Sequence, residues 1–216
     1  MTMPFTIGEF LDVFRRYNEA VWPAQWILLI LALTAVVVAL RARWLSRAPA
    51  LILAVLWLWM GVVYHVAFFR VINPAAVVFG AVFMLQAALF VWLAFTKPAI
   101  RFTVQWDAAG LLGGLVILFA LVIYPSLGWL AGHRYPAAPT FGLPCPTTLF
   151  TLGLLLWVQP PLPRRVLIIP VLWSMVGTVS AFQLGMVEDF SLPLVAIIAS
   201  VFALRSERRV ERLRPA

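Results

Sequence analysis

Charged residues are scarce in this chain. Asp, Glu, Lys and Arg make up 11% of its 216 residues, against about 25% in soluble globular domains. Hydrophobic residues make up 64%, and the mean hydropathy is +1.01. A soluble core of this length could not bury so much apolar surface, so the sequence predicts a membrane protein. The apolar runs are continuous and do not alternate, which favours helices over a β-barrel.

Cysteine and histidine are almost missing as well. Cys145 is the only cysteine, and His65 and His133 are the only histidines. One cysteine excludes an intrachain disulfide and a CxxC pair. Cys145 and His133 could serve a soft or borderline metal, but their spacing matches no ligand motif. We therefore predict no metal centre and no cofactor.

The net charge of +8 does not indicate a nucleic-acid partner, because the basic residues lie in short connectors between apolar runs. The partner that the sequence implies is the lipid bilayer. We predict an all-α fold with about seven transmembrane helices and one domain over residues 1–216. Its parts are an interfacial segment (1–21), a helix bundle (22–204) and a basic cytoplasmic tail (205–216). The predicted spans are 22–40, 49–69, 74–96, 105–124, 146–158, 166–183 and 190–204.

The distribution of basic residues predicts the orientation. Twelve of the sixteen Lys and Arg residues lie in the first, third and fifth connectors and in the tail, and four lie on the opposite side. Positive charge marks the cytoplasmic side, so we expect the C-terminus in the cytoplasm and the N-terminus outside a bacterial inner membrane. The fifth run, 146–158, is short, and a re-entrant segment is the alternative to a crossing.

The N-terminal segment predicts an amphipathic interfacial helix. Thr6 and Glu9 fit a capping box, and Phe10, Phe14 and Tyr17 recur at helical spacing. Such a helix could be an interfacial anchor, a lid over an external vestibule or a docking site for a partner.

Residues 132–148, GHRYPAAPTFGLPCPTT, are neither an apolar span nor a basic connector. The predicted topology places polar residues from this segment on the outer face together with residues from three other regions. These candidate ligand-binding residues are His133, Arg134, Tyr135, Thr140, Cys145, Thr147, Thr148, His65, Asn18 and Glu188.

Each candidate also has a structural explanation. Cys145 between Pro144 and Pro146 could be an apolar residue in a packed turn, or a nucleophile if an imidazole activates it. The N–H groups of Thr147 and Thr148 could hold an anion at a helix N-terminus, or belong to a rigid proline turn. His65 could pack within its span or belong to a site.

Two stretches carry a family resemblance. The first runs from Met3-Pro4-Phe5-Thr6 to Val21-Trp22-Pro23-Ala24-Gln25, and the second is 132–148. Together they resemble a family of uncharacterised bacterial integral membrane proteins classed as a domain of unknown function. The resemblance implies a bacterial multi-pass membrane protein, a kind sometimes labelled permease on hydropathy, and carries no catalytic roles.

Three functions are open at this point. The leading hypothesis is a small transporter or permease-like protein, or a transport accessory, with an outward-facing site for a small molecule. The alternatives are a periplasm-facing enzyme that uses His133 and Cys145, and a membrane sensor or scaffold. The small residues Gly110, Gly113 and Gly114 suit close helix packing or a homo-oligomer contact.

Overall fold

The computed structural model of the chain describes residues 4–95, 100–159 and 162–212. The structure is all-helical, and the described residues contain no β-strand. Eight helices are numbered here in chain order: α1 (Ile7–Ala20), α2 (Ala24–Arg41), α3 (Ala48–Val71), α4 (Ala76–Phe95), α5 (Ala108–Leu130), α6 (Pro144–Leu155), α7 (Arg165–Leu184) and α8 (Ser191–Arg212). Short 3₁₀ turns cover Arg43–Leu45 and Val187–Phe190.

Six of these segments are long and apolar enough to cross a bilayer, which indicates a membrane-embedded protein. They are α2, α3, α4, α5, α7 and the segment Val187–Arg205 at the start of α8. The sequence predicted seven spans. The fifth predicted span is instead a shorter apolar helix, α6, which has 12 residues.

Several predicted boundaries were wrong. Helix α5 begins at Ala108 and ends at Leu130, whereas the prediction was 105–124, because Asp107 caps the helix by accepting from the Gly110 N–H at 2.8 Å. Helix α6 begins two residues before the predicted start, since proline is accommodated in a first helical turn. The predicted tail, 205–216, is helical as far as Arg212, and residues 213–216 lie outside the described part.

Helix α6 is the centre of the bundle. It packs against α5, α7 and α8, and apart from half-buried Cys145 all its residues are buried. Thr151 accepts a hydrogen bond of 3.0 Å from the Trp57 indole N–H. Just beyond its end, the Trp157 indole donates to the Gly110 carbonyl at 2.9 Å. These contacts fix both the depth and the rotation of α6.

The chain after α6 reaches the segment that leads into α5. The Thr103 N–H donates to the Trp157 carbonyl at 2.9 Å, and the Gln159 N–H donates to the Arg101 carbonyl at 2.9 Å. We call this end of the bundle the tail side, since the later part of α8 also lies there. The opposite end, which carries residues 131–143, is called the loop side.

Helix α1 lies on the loop side against the last turns of α3. The predicted capping box is confirmed: Thr6 accepts from the Glu9 N–H, and the Glu9 carboxylate accepts from the Thr6 N–H at 2.8 Å. The bonds from Thr6 lower the pKa of Glu9. The Tyr17 hydroxyl is buried and accepts from the Trp59 indole at 2.8 Å, and burial raises the pKa of Tyr17 to about 12.

Candidate functional site

A cavity of about 260 Å³ lies on the loop side, between α1 and the start of α6. Eight of its nineteen described lining residues are aromatic. Phe5, Phe10 and Phe14 form the wall contributed by α1 and the residue stretch before it. The cavity is therefore covered by the N-terminal segment and reaches down to the first turn of α6.

The opposite wall comes from the ends of α3 and α4. Tyr64 and Phe69 stack with their ring planes 11° apart, and Phe79 packs edge-on against Trp173 of α7 at 5.5 Å between ring centroids. The Trp173 indole N–H has no hydrogen-bond partner within the described residues, although Trp173 lines the cavity. This wall is mainly apolar, and its polar groups are the indole and phenol edges, Asn73 and Ser180.

One end of the cavity is polar. Asp189, 3% exposed, accepts a hydrogen bond of 2.6 Å from the Tyr124 hydroxyl. The Cys145 thiol lies near this side chain. Among the described lining residues, Asp189 is the one with a formal charge. It is a buried acidic side chain that accepts one hydrogen bond, from a neutral donor.

Local departures from α-helical geometry lie close to both tyrosines. Tyr64 lies within a π-helical stretch of α3, Met60–Phe68. Tyr124 follows directly on the π-helical turn Phe119–Ile123 of α5. A π turn inserts an extra residue and rotates the side chains that follow, and such turns are frequent at functional sites. Both tyrosines line the cavity.

Glu188, next to Asp189, pairs with the loop. Its carboxylate lies 2.9 Å from Nδ1 of His133, and Glu188 is fully buried. Arg134 instead places its guanidinium over the Trp129 ring, 4.6 Å from the centroid. The predicted candidates His133, Arg134 and Glu188 therefore lie together, but Arg134 does not contact either carboxylate of the pair 188–189 within the described residues.

Asn18 holds the loop to α1. Its side-chain N–H groups donate to the carbonyls of Pro136 and Ala138 at 2.6 and 2.9 Å. Its side-chain oxygen accepts from the Thr140 hydroxyl at 2.6 Å, and its backbone carbonyl accepts from Tyr135 at 3.4 Å. The candidates Asn18, Tyr135 and Thr140 thus form a structural joint above the cavity.

The start of α6 does not have the contacts expected of an anion site. The Thr147 N–H donates to the Leu143 carbonyl at 3.3 Å, so it does not point outward for an anion. Thr147 and Thr148 are fully buried, and the Thr147 hydroxyl accepts from the Gly142 N–H at 3.1 Å. The rigid proline turn is the better description, because the positive φ of Gly142, 98°, lets the loop fold back onto the helix.

Cys145 and His133 lie beside different acidic side chains. Cys145 faces Asp189, and His133 contacts Glu188. A carboxylate beside a thiol opposes formation of the thiolate that nucleophilic catalysis needs. Within the described residues, no group of three or more His, Cys, Asp or Glu side chains is arranged to hold a metal ion.

His65 lies one layer behind the cavity wall. It is fully buried, and neither ring nitrogen has a hydrogen-bond partner among the described residues. Its neighbours are aromatic, with Phe83 at 4.5 Å and Trp173 at 5.1 Å between ring centroids. His65 therefore acts as a packed aromatic ring that supports Trp173.

A second cavity, of about 400 Å³, opens at the other end of α6. It is lined by the residues that follow α6, by the start of α5 and by α8, and its polar members include Thr103, Gln105, Asp107 and Arg205. The first cavity meets the first turn of α6 at Pro144–Pro146, and the second meets its last turn at Leu155. One short helix therefore separates two cavities.

Sequence reasoning missed the most central members of this site. Asp189 was not among the predicted candidates, and Tyr124 only marked the end of a predicted span. A usable signal was present, since acidic residues beside an apolar run tend to be functional. The aromatic residues gave no usable signal, because anchors and cavity walls have the same composition.

Among the described residues, six long apolar helices together with one short buried helix indicate a helical membrane protein. The chain belongs to a family of unknown function, DUF6064, whose model matches residues 7–214. This confirms the predicted family resemblance. No curated protein and no solved structure gives a significant match.

Proposed function

We propose that the protein is a permease-like protein of the bacterial inner membrane that admits a small solute from outside into the loop-side cavity. Its N-terminus is outside and its C-terminus is cytoplasmic, so the loop side faces outward. The distribution of arginines between the connectors supports this orientation.

Helix α6 is the seventh crossing in this proposal. Its 12 residues rise about 18 Å, which is less than the roughly 30 Å of the hydrocarbon core. The two cavities occupy the remaining depth, one at each end of the helix. A short barrier between two cavities is the observation that carries the permease proposal, because a solute needs to pass only one thin layer of protein.

Helix α1 is an interfacial lid in this proposal. Its buried side includes Val13, Phe14 and Tyr17, and Glu9 and Arg15 are exposed. Phe10 and Phe14 line the cavity, so a tilt of α1 would open it to the outer surface. An anchor without a gating role would not need to contribute to the cavity wall.

The geometry favours this function over the alternatives. An enzyme based on Cys145 and His133 would require the imidazole beside the thiol, whereas a carboxylate lies there. A sensor or scaffold would need the outer cavity only. A permease also needs an exit for solute, and the tail-side cavity would provide it.

Plugging each cavity separately tests the proposal. Ser180 lines the outer cavity and Ala108 lines the inner one, so Ser180→Trp and Ala108→Trp fill them from partly exposed positions. Ser126→Trp and Ala131→Trp, at exposed positions that line neither cavity, are the matched controls. Uptake of a panel of small radiolabelled amines, acids and sugars is measured in proteoliposomes.

We expect both plugs to abolish protein-dependent uptake and both controls to preserve it. Uptake that persists in Ala108→Trp would exclude a path through the inner cavity. If no panel member enters faster than it enters protein-free liposomes, the permease proposal is wrong.

Orientation has a separate test. In a Cys145→Ala background, a cysteine at Ser206 should react with a membrane-impermeant thiol reagent in inside-out vesicles and not in intact cells. Labelling in intact cells would reverse the proposed topology.

A further inference from the structure

We propose that the outer cavity binds an organic cation, an alkylated ammonium compound of about the size of a substituted benzene ring. This inference rests on the permease proposal and names its substrate class. It follows from three features of the cavity: its uncompensated carboxylate, its aromatic wall and its size.

The first feature is a buried acidic side chain without a cationic partner. Within the described residues, no Lys, Arg or His side chain forms an ion pair with Asp189, and the neighbouring Glu188 is paired with His133. A buried carboxylate is costly unless a positive charge offsets it. The Tyr124 hydroxyl supplies a hydrogen bond but no charge. A bound cation would supply the missing charge at the polar end of the cavity.

The second feature is the aromatic wall. Aromatic rings attract cations through the negative potential of their faces, and cages of such rings are used to bind quaternary ammonium groups. Phe10, Phe14, Tyr64 and Trp173 line the cavity from different helices. Alkylated ammonium groups are the cations that suit this wall. They have few N–H groups that lose hydrogen bonds to water on binding, and their alkyl substituents bury apolar surface.

The third feature is size. A cavity of about 150 Å³ holds a benzene molecule. The volume of about 260 Å³ leaves space for a ring with a trimethylammonium group. An anion is disfavoured, because no described lining residue carries a positive charge.

Equilibrium binding of radiolabelled phenyltrimethylammonium to the purified full-length protein tests the inference. The neutral isostere tert-butylbenzene and the anion benzoate serve as competitors, with their free aqueous concentrations measured. We expect phenyltrimethylammonium to bind about tenfold or more tightly than the neutral isostere, because it adds cation–π attraction and an ion pair. Equal binding of the isostere, or tighter binding of benzoate, overturns the inference.

Two charge variants locate the effect. Asp189→Asn keeps an acceptor for Tyr124 and removes the charge, and should weaken phenyltrimethylammonium binding by about tenfold or more. Asp12→Asn removes the same charge from the surface of α1, where Asp12 pairs with Arg16 at 2.6 Å, and should leave binding within about twofold. Equal loss in both variants would mean that only the overall charge matters, and the inference would be wrong.

The comparison of ligands in the unmodified protein keeps the test valid if Asp189→Asn fails to fold. Because binding is measured without transport, the two proposals can fail separately. Cation binding without uptake in proteoliposomes would overturn the permease proposal alone. Plug-sensitive uptake of another solute, without cation binding, would overturn the substrate class alone.

Discussion

Replacing Asn18 tests whether the joint between α1 and the loop stabilises the protein. Asn18 is fully buried. Its amide donates to two loop carbonyls and accepts from the Thr140 hydroxyl, with all three distances at or below 2.9 Å. Asn18→Ala removes these three bonds together, along with a longer bond of 3.4 Å from the Gln25 amide to the Asn18 side-chain oxygen. It leaves two carbonyls and one hydroxyl without their partner.

The expected loss follows from the number of bonds. Each hydrogen bond contributes about 1 kcal/mol net, so three give about 3 kcal/mol of unfolding free energy. For a chain of this length that corresponds to a fall in Tm of roughly 6–12 °C. Asn18→Asp has nearly the same volume but offers no donor to the carbonyls of Pro136 and Ala138, so we expect at least as large a fall.

The assay is thermal unfolding of the purified protein in detergent, combined with limited proteolysis of residues 131–143. The control is Asn73→Ala, because Asn73 makes one side-chain bond, accepting from the Ala75 N–H at 3.1 Å in an exposed turn. We expect Asn73→Ala to change Tm little and Asn18→Ala to speed cleavage of the loop. If Asn18→Ala is no less stable than Asn73→Ala, the joint does not hold the loop and the reasoning is refuted.

Two further predictions concern packing and pH. Gly113→Ala would place its Cβ 2.6 Å from the Trp157 indole nitrogen and should lower the unfolding free energy by about 1–3 kcal/mol through overpacking. In the control, Gly114→Ala, the nearest atom to the new Cβ is 3.7 Å away, so Tm should not fall. Equal Tm values for the two variants would contradict the close contact of α5 and α6. The pKa of Tyr17 is higher in the folded protein, about 12 against 10.0. The unfolding free energy should therefore be unaffected by this group below pH 10 and fall by roughly 3 kcal/mol as pH rises to about 12. The unfolding free energy of Tyr17→Phe should lack this alkaline loss, and parallel pH profiles for the two proteins would disprove it.

Much of the fold follows from local properties of the sequence. Apolar runs of about 20 residues predict helices in lipid wherever they occur, so α2, α3, α4 and α7 were located to within a few residues. The capping box at Thr6 and Glu9 was predicted because its four-residue pattern satisfies itself locally. The bounds of α5 and α6 were less accurate. The bond between the Gly110 N–H and Asp107 that starts α5 is local, but the prediction of 105–124 did not use it. The predicted start of α6 at residue 146 likewise left out Pro144, which occupies the first turn.

The candidate site followed the sequence only in part. The topology brought Asn18, His133, Cys145 and Glu188 to one end of the bundle, as arginine sorting predicted. The sequence did not predict which of these side chains would contact one another. His133 contacts Glu188 and Cys145 faces Asp189, so two neighbouring residues in the chain serve different partners. Pairing at this level depends on helix rotation, which the π-helical stretches change by a fraction of a turn.

By itself, the sequence determined that this protein suits a lipid environment, that it is helical and roughly where its long apolar helices lie. Hydrophobicity and backbone hydrogen bonding in lipid leave few alternatives. It also determined the family. Only the tertiary structure decided that α6 is the buried centre, that cavities lie at both of its ends and that Asp189 is the acidic residue among the described residues lining the loop-side cavity. Those features arise where five or more segments converge, and the packing of residues far apart in the chain is what selects one arrangement among many with the same hydropathy.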